Sequence, residues 1–255
     1  MERKREIKNR KILIVGNMSS GKSTFINSIL KENILPTSNL ACTAKEMKII
    51  IVNNNKNFYY YTEDERKKSL RKDGLEKMNF LNKNERFENI IIKGPSIIEK
   101  LDGCEIYDSP GINNSMDLEH RNVTVEMLKR NEFDRVIFLM NAGNLFTTDD
   151  QSFMETLKKE EYGKNRELYV VINKIDKIHL TEESTDEELI KKATEFFYNN
   201  DMPLCKVYLY SSLYFVLRKT KEKTRSQKRA FNLLNEIYGS RQINEFKKIR
   251  KKILL

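Results

Sequence analysis

The chain has 255 residues, 39% of them hydrophobic and 33% charged, with 47 Lys and Arg against 37 Asp and Glu for a net charge of +10. This length supports one large α/β domain, or such a domain with a helical appendage, and the composition excludes an intrinsically disordered chain. No run approaches the roughly 18 apolar residues of a membrane span, no signal-peptide core follows the charged start MERKREIKNRK, and Cys42, Cys104 and Cys205 lack the spacing of a disulfide framework or zinc site, so a cytosolic protein with free thiols is expected.

In chain order, residues 2–10 read as a charged arm, 11–15 as a strand and 22–31 as a helix with Phe25, Ile26, Ile29 and Leu30 on its core side. Residues 33–44 read as a loop. Runs 47–52 and 58–62, joined by the turn Asn53-Asn54-Asn55, suggest a hairpin, and 63–81 one or two exposed helices. Strands are expected at 89–92, 104–107, 135–140, 168–172 and 206–210, with a short helix at 95–101 and helices at 118–130, 148–160 (capped near Thr147 or Thr148) and 183–198. Everything from Ser212 onward looks helical. This alternation predicts a mostly parallel central sheet with helices on both faces plus flanking terminal helices, and such sheets bind ligands at the carboxyl ends of their strands.

Four motifs lie at those ends. Gly16-Asn17-Met18-Ser19-Ser20-Gly21-Lys22-Ser23, followed by Thr24, has the G-x-x-x-x-G-K-[ST] pattern between a strand and a helix. Its backbone N–H groups and the helix start would cradle phosphates, Lys22 would reach the β/γ phosphates and Ser23 would bind Mg²⁺. Asp108-Ser109-Pro110-Gly111 stands directly after a strand, 86 residues beyond Lys22. There Asp108 can serve the metal, and Gly111 can offer its N–H to a γ-phosphate. Asn173-Lys174-Ile175-Asp176 supplies a base reader: the Asp176 carboxylate accepts both N1–H and N2–H of guanine, a donor pair adenine lacks, while the stem of Lys174 lies along the purine. Ser211 and Ser212 are candidates to support the base. Thr43 is the candidate for Mg²⁺ and the γ-phosphate in the loop after the first helix.

GNMSSGKST, LPTSNLACTAKE, DSPGI and NKID stand in the order and spacing of the translation-factor-like P-loop GTPases. Ser19-Ser20-Gly21-Lys22-Ser23-Thr24, Leu35-Pro36 and Cys42-Thr43-Ala44 resemble the dynamin superfamily, especially its bacterial members, over residues 11–212. The resemblance implies GTP and GDP as ligands, Mg²⁺, a monovalent cation near Ser19, and a site completed when two G domains meet across the nucleotide. Met18 departs from the glutamine of eukaryotic dynamins. Ile112 stands where Ras-type proteins orient water with a glutamine, so hydrolysis would rest on Ser19, Lys22, Thr43 and Gly111.

The charge is uneven: residues 216–255 carry thirteen Lys/Arg against three Asp/Glu, and residues 2–11 six against two, which leaves the body slightly acidic. The division expected is an arm at 1–10, a G domain at 11–215 and basic helices at 216–255 that form a hinge to a stalk. Ile243, Phe246, Ile249, Ile253 and Leu254 share one helical face opposite a basic one, which suits packing against stalk helices or a peripheral position on an anionic membrane. His120 and His179 read as surface residues, and Tyr59-Tyr60-Tyr61 as a half-buried strand rather than a base-stacking platform. The competing readings are an Era-type, ribosomal-RNA-associated GTPase and a nucleotide-gated switch with little hydrolysis. The first lacks support in the sequence, because 213–255 holds no GXXG-bearing nucleic-acid module.

Overall fold

The computed structural model describes residues 10–37, 46–62, 68–70, 74–83, 89–111, 118–179 and 185–255. Thr43, Cys42, Ile112 and the arm at 2–9 lie outside them. The elements in order are β1 (Lys11–Gly16), α1 (Lys22–Ile29), β2 (Glu46–Ile51), β3 (Phe58–Tyr61), β4 (Lys68–Leu70), α2 (Gly74–Lys83) and β5 (Asn89–Gly94). After a 3-10 turn at Glu99–Leu101 come β6 (Glu105–Asp108), α3 (Leu118–Lys129), β7 (Arg135–Asn141), α4 (Thr148–Lys159) and β8 (Leu168–Asn173). The chain continues through α5 (Asp176–His179), α6 (Asp186–Asn199), β9 (Cys205–Tyr210), α7 (Ser212–Lys219), α8 (Arg225–Ile237) and α9 (Ser240–Leu254).

Among the described residues, nine strands form one sheet in the order β4-β3-β5-β2-β6-β1-β7-β8-β9. β1 is parallel to β6 and β7, β7 to β8, β8 to β9, and β2 to β5. Antiparallel pairing is confined to β2 with β6 and to β3 with β4 and β5. The α/β P-loop fold with its mostly parallel sheet is therefore present.

A strand buried on both faces reads as a continuous apolar run, because alternate side chains enter two cores. In β1, Ile12 and Ile14 enter one core while Leu13 and Val15 enter the other. The first core is covered by α1, α7, α8 and α9, with Phe25, Tyr214, Leu234 and Phe246 among its members. The second is covered by α3 and α4 through Met127, Leu128, Phe153 and Leu157.

Three local expectations are corrected. β2 and β3 do not form a hairpin, because β5 lies between them and pairs with both. The buried Ile90 and Ile92 suit β5 to that place between β3 and β2. The span 63–81 is not wholly helical, since β4 extends the sheet before α2 begins. The helix expected at 95–101 is reduced to the 3-10 turn. β3 itself alternates as expected, with Phe58 and Tyr60 buried and Tyr59 and Tyr61 half-buried.

Candidate nucleotide site

The loop between β1 and α1 is shaped by three residues with positive φ. Gly16 stands at φ 154° and Gly21 at φ 94°, and Ser19 adopts φ 62° with its side chain exposed. A Cβ on Gly16 would come within 2.4 Å of the Leu139 carbonyl oxygen, and one on Gly21 within 2.5 Å of Asn173 Nδ2, so neither place tolerates a side chain. Gly21, the cap residue of α1, supplies no side-chain cap. The partial positive charge of such a helix start suits an anion.

Lys22 is buried, and its Nζ donates to the carbonyls of Gly16 at 2.8 Å and Asn17 at 3.1 Å. Ser23 Oγ donates to Asp108 Oδ2 at 3.1 Å, so the first and third motifs meet at a hydroxyl and a carboxylate. Asp108 Oδ1 is buried without a hydrogen-bond partner among the described residues. Burial pushes the Asp108 carboxyl up to about 6, against the opposing pull of the Lys22 charge and the Ser23 hydroxyl. A buried carboxylate with one unsatisfied oxygen beside a serine hydroxyl fits a hard divalent cation such as Mg²⁺. A Cβ on Gly111 would lie 3.1 Å from Met18 Cα and 3.3 Å from Lys22 Nζ, so the Asp108–Gly111 segment runs directly against the phosphate loop.

Asn173 joins the phosphate end to the base end. Its Nδ2 donates to the Ser20 carbonyl at 3.0 Å, while its Oδ1 accepts from Ser212 N at 3.1 Å and Ser212 Oγ at 2.8 Å. Lys174, in the left-handed conformation at φ 64°, places Cε 3.6 Å from where a Gly21 Cβ would stand. Burial, with Lys177 nearby, lowers its ammonium pKa, and Asp176 partly restores it. Asp176 opens α5, is 4% exposed, and accepts from Ser211 Oγ at 2.6 Å. Ser211 also caps α7 by accepting from Tyr214 N at 3.3 Å. Thr24 is half-buried in the first turn of α1.

A family model described as the dynamin family matches residues 12–175, the span that holds the phosphate loop, the Asp108 segment and Asn173. The chain belongs to the dynamin family. A bacterial dynamin-like protein of Nostoc punctiforme is 28% identical to this dynamin-type G domain over 182 residues, which is 66% of this chain and 25% of the relative. Mitofusin FZO1 of Saccharomyces cerevisiae is 24% identical over 226 residues, 71% of this chain and 23% of the relative. The chain thus spans about a quarter of the length of these curated relatives. In structure it resembles a member of an oligomerised bacterial dynamin pair described as sensing and tethering membranes, with a TM-score of 0.57 at 20% identity over 98% of this chain and 41% of that one.

Two contributors around the dynamin site were not visible in the sequence. Asn17 Nδ2 donates to Asp150 Oδ1 at 2.5 Å, which ties the phosphate loop to the start of α4. The Thr147–Asp150 pair announces only a helix cap, which it also forms. Beside this contact lies a polar cleft of about 290 Å³, lined in part by Met18, Asn141, Asn144 and Asp149. The second contributor is His179, expected at the surface and found half-buried between Tyr238 and Asp186.

Proposed function

We propose that this chain binds and hydrolyses GTP with Mg²⁺, that turnover rises when two G domains meet face to face, and that in the whole protein the cycle acts on membranes. The observation that carries the reading is the double role of Asn173, whose two side-chain atoms tie the phosphate loop to the Ser211–Ser212 loop. Lys22 would exchange its loop carbonyls for the β/γ phosphates, and the uncapped start of α1 would meet the same anion. Ser23, Asp108 and Thr43 would hold Mg²⁺, which when bound neutralises charge on the phosphate oxygens. Gly111 and Ser19 would face the γ-phosphate and the β/γ bridge, with a monovalent cation beside Ser19. Asp176 would choose guanine, with Lys174 along the ring and Ser211 and Ser212 behind it.

The likeness to a bacterial dynamin pair supports the pairing, and the names of the relatives support the membrane connection. The sheet order supports the placement of the ligand, since the phosphate loop, Asp108 and Asn173 stand at the carboxyl ends of the parallel strands β1, β6 and β8.

The test is nucleotide preference and turnover in one series. Wild type is expected to bind GTP well above ATP and XTP, with specific activity that rises with protein concentration. Lys22→Ala is expected to abolish phosphate binding, and Asp176→Asn to lose the preference for GTP over XTP, because an amide can donate to the xanthine 2-oxo group. Equal specific activity across a wide dilution series would remove the pairing, and preference for ATP would remove the whole reading.

A further inference from the structure

Two sets of polar contacts, one at each end of α5, tie the base-reading end of the site to the C-terminal helices. Ser211 Oγ donates to Asp176 Oδ1 at 2.6 Å. The Tyr238 phenol lies near enough to Asp176 that the carboxylate's charge adds to the upward push that burial gives it. The Tyr238 hydroxyl stands 3.1 Å from His179 Nδ1, and His179 Nε2 stands 2.6 Å from Asp186 Oδ1. Gln242 Nε2 then donates to Asp186 Oδ2 at 3.1 Å. Tyr238 closes α8 and Gln242 lies in the first turn of α9, so the contacts of His179 reach the elbow between those helices.

We propose that Tyr238 and His179 are positioning residues for guanine recognition, and that they couple occupancy of the base site to docking of the α8–α9 elbow. The inference rests on the reading of Asp176 as the group that meets the base. A bidentate contact to N1–H and N2–H needs both carboxylate oxygens at a fixed rotation, and Asp176 sits on a helix of only four residues. Such a short element has little rigidity of its own. Its last residue, His179, is held from two sides, and the Oδ1 of its first residue is held by Ser211. Both ring nitrogens of His179 thus have a partner, Tyr238 at Nδ1 and Asp186 at Nε2. Tyr238 is 1% exposed and its ring packs edge-on against Tyr214, Phe246 and His179, so its hydroxyl has a fixed position from which to act. Coupling of this kind is reciprocal: a base that fixes Asp176 must also favour the docked elbow.

Tyr238→Phe tests this, since it keeps the ring and removes only the hydroxyl. GTP and ITP affinities are compared, because inosine lacks the 2-amino group and so reports on one oxygen of Asp176 where guanine reports on both. The variant is expected to lose about fivefold in GTP affinity, the scale of one hydrogen bond, and less in ITP affinity, so that the GTP-to-ITP ratio falls. General loosening of the fold would lower both affinities together and leave the ratio unchanged. His179→Ala is expected to reproduce the drop, and His179→Gln, which restores a donor toward Asp186, to recover part of it. In hydrogen exchange, GDP is expected to slow the amides of residues 237–242 in wild type and not in Tyr238→Phe. An unchanged ratio in Tyr238→Phe, or elbow amides in wild type that do not respond to GDP, would overturn the inference alone. A wild-type chain with no preference for guanine would overturn the proposed function and this inference with it.

Discussion

Gly21 shows how one missing side chain holds the site together. At φ 94° an L-residue is strained by roughly 1–3 kcal/mol, and its Cβ would meet Asn173 Nδ2 at 2.5 Å. Asn173 would have to withdraw from the Ser20 carbonyl, its link to the phosphate loop. Gly21→Ala is therefore expected to lower the melting temperature by several degrees and to abolish GTP binding in calorimetry. Gly143→Ala is the control: it has ordinary φ, its added Cβ would meet nothing closer than Lys177 Cδ at 3.6 Å, and both quantities should stay near wild type. At this scale, the meeting of the runs that hold Lys22, Asp108 and Asn173 was legible, because their order along the chain places each at the end of a strand. His179 was not, because its partner Tyr238 lies 59 residues away and nothing near position 179 announces it. Asp150 was hidden in another way: its cap role explains the residue fully until Asn17 is seen against it, 133 positions distant.

Elements were legible where strand and helix alternate with clear periods, and misread where pairing depends on which strand is the more apolar. The run Phe58–Tyr61 follows β2 after a short turn, which is the local mark of a hairpin, yet the isoleucines of β5 take the place between them. The same dependence on distant partners governs the end of α1. This helix has no basic residue in its last turn, so the cations that face its carbonyls come from α7 and α9. Lys219 Nζ donates to Leu30 O at 2.6 Å, to Glu32 O at 3.3 Å and to the Asn27 carbonyl, while Arg250 Nη1 donates to Ser28 O at 3.1 Å. Burial and then the Arg250 charge pull the Lys219 ammonium down to about 7, against a small opposing effect of Glu32. This folded value lies below the 10.5 of a free lysine, so between the two the unfolded chain holds a proton that the folded chain releases. Stability must rise with pH across that window, and the cost of burying the charge is present in full only below about 7. The denaturation midpoint of wild type is expected to rise from pH 6.5 to pH 9 more than that of Lys219→Met. Parallel midpoints in the two proteins would show that Lys219 stays charged throughout.

At the scale of the whole molecule, the question is what the amphipathic C-terminal helix does with its apolar face. The spacing of Ile243, Phe246, Ile249, Ile253 and Leu254 suits a protein core, the commoner use of such a stripe, and also a lipid surface. The fold chooses for α9: Phe246, Ile253 and Leu254 are buried in the core that also holds Tyr210 and Phe215, and Arg250 stacks on the Phe215 ring at 4.6 Å. The start of β7 grips the other end of the helix, where Arg135 Nη1 donates to Lys252 O at 2.8 Å and Ile253 O at 2.7 Å. Lys248, Lys251 and Lys252 are left exposed on the opposite side. Two sets of substitutions on one helix should then act on different properties. Phe246→Ala removes a fully buried ring, and a loss of about 3–5 kcal/mol is expected in denaturant unfolding. Joint replacement of Lys248, Lys251 and Lys252 by Gln is expected to move stability by less than about 1 kcal/mol, because solvated charges contribute little. That second variant should still lower any retention on anionic vesicles, through a contact that salt also weakens. If Phe246→Ala instead left unfolding unchanged while vesicle retention fell, the apolar face would be free to meet lipid, and α9 would not be part of the core.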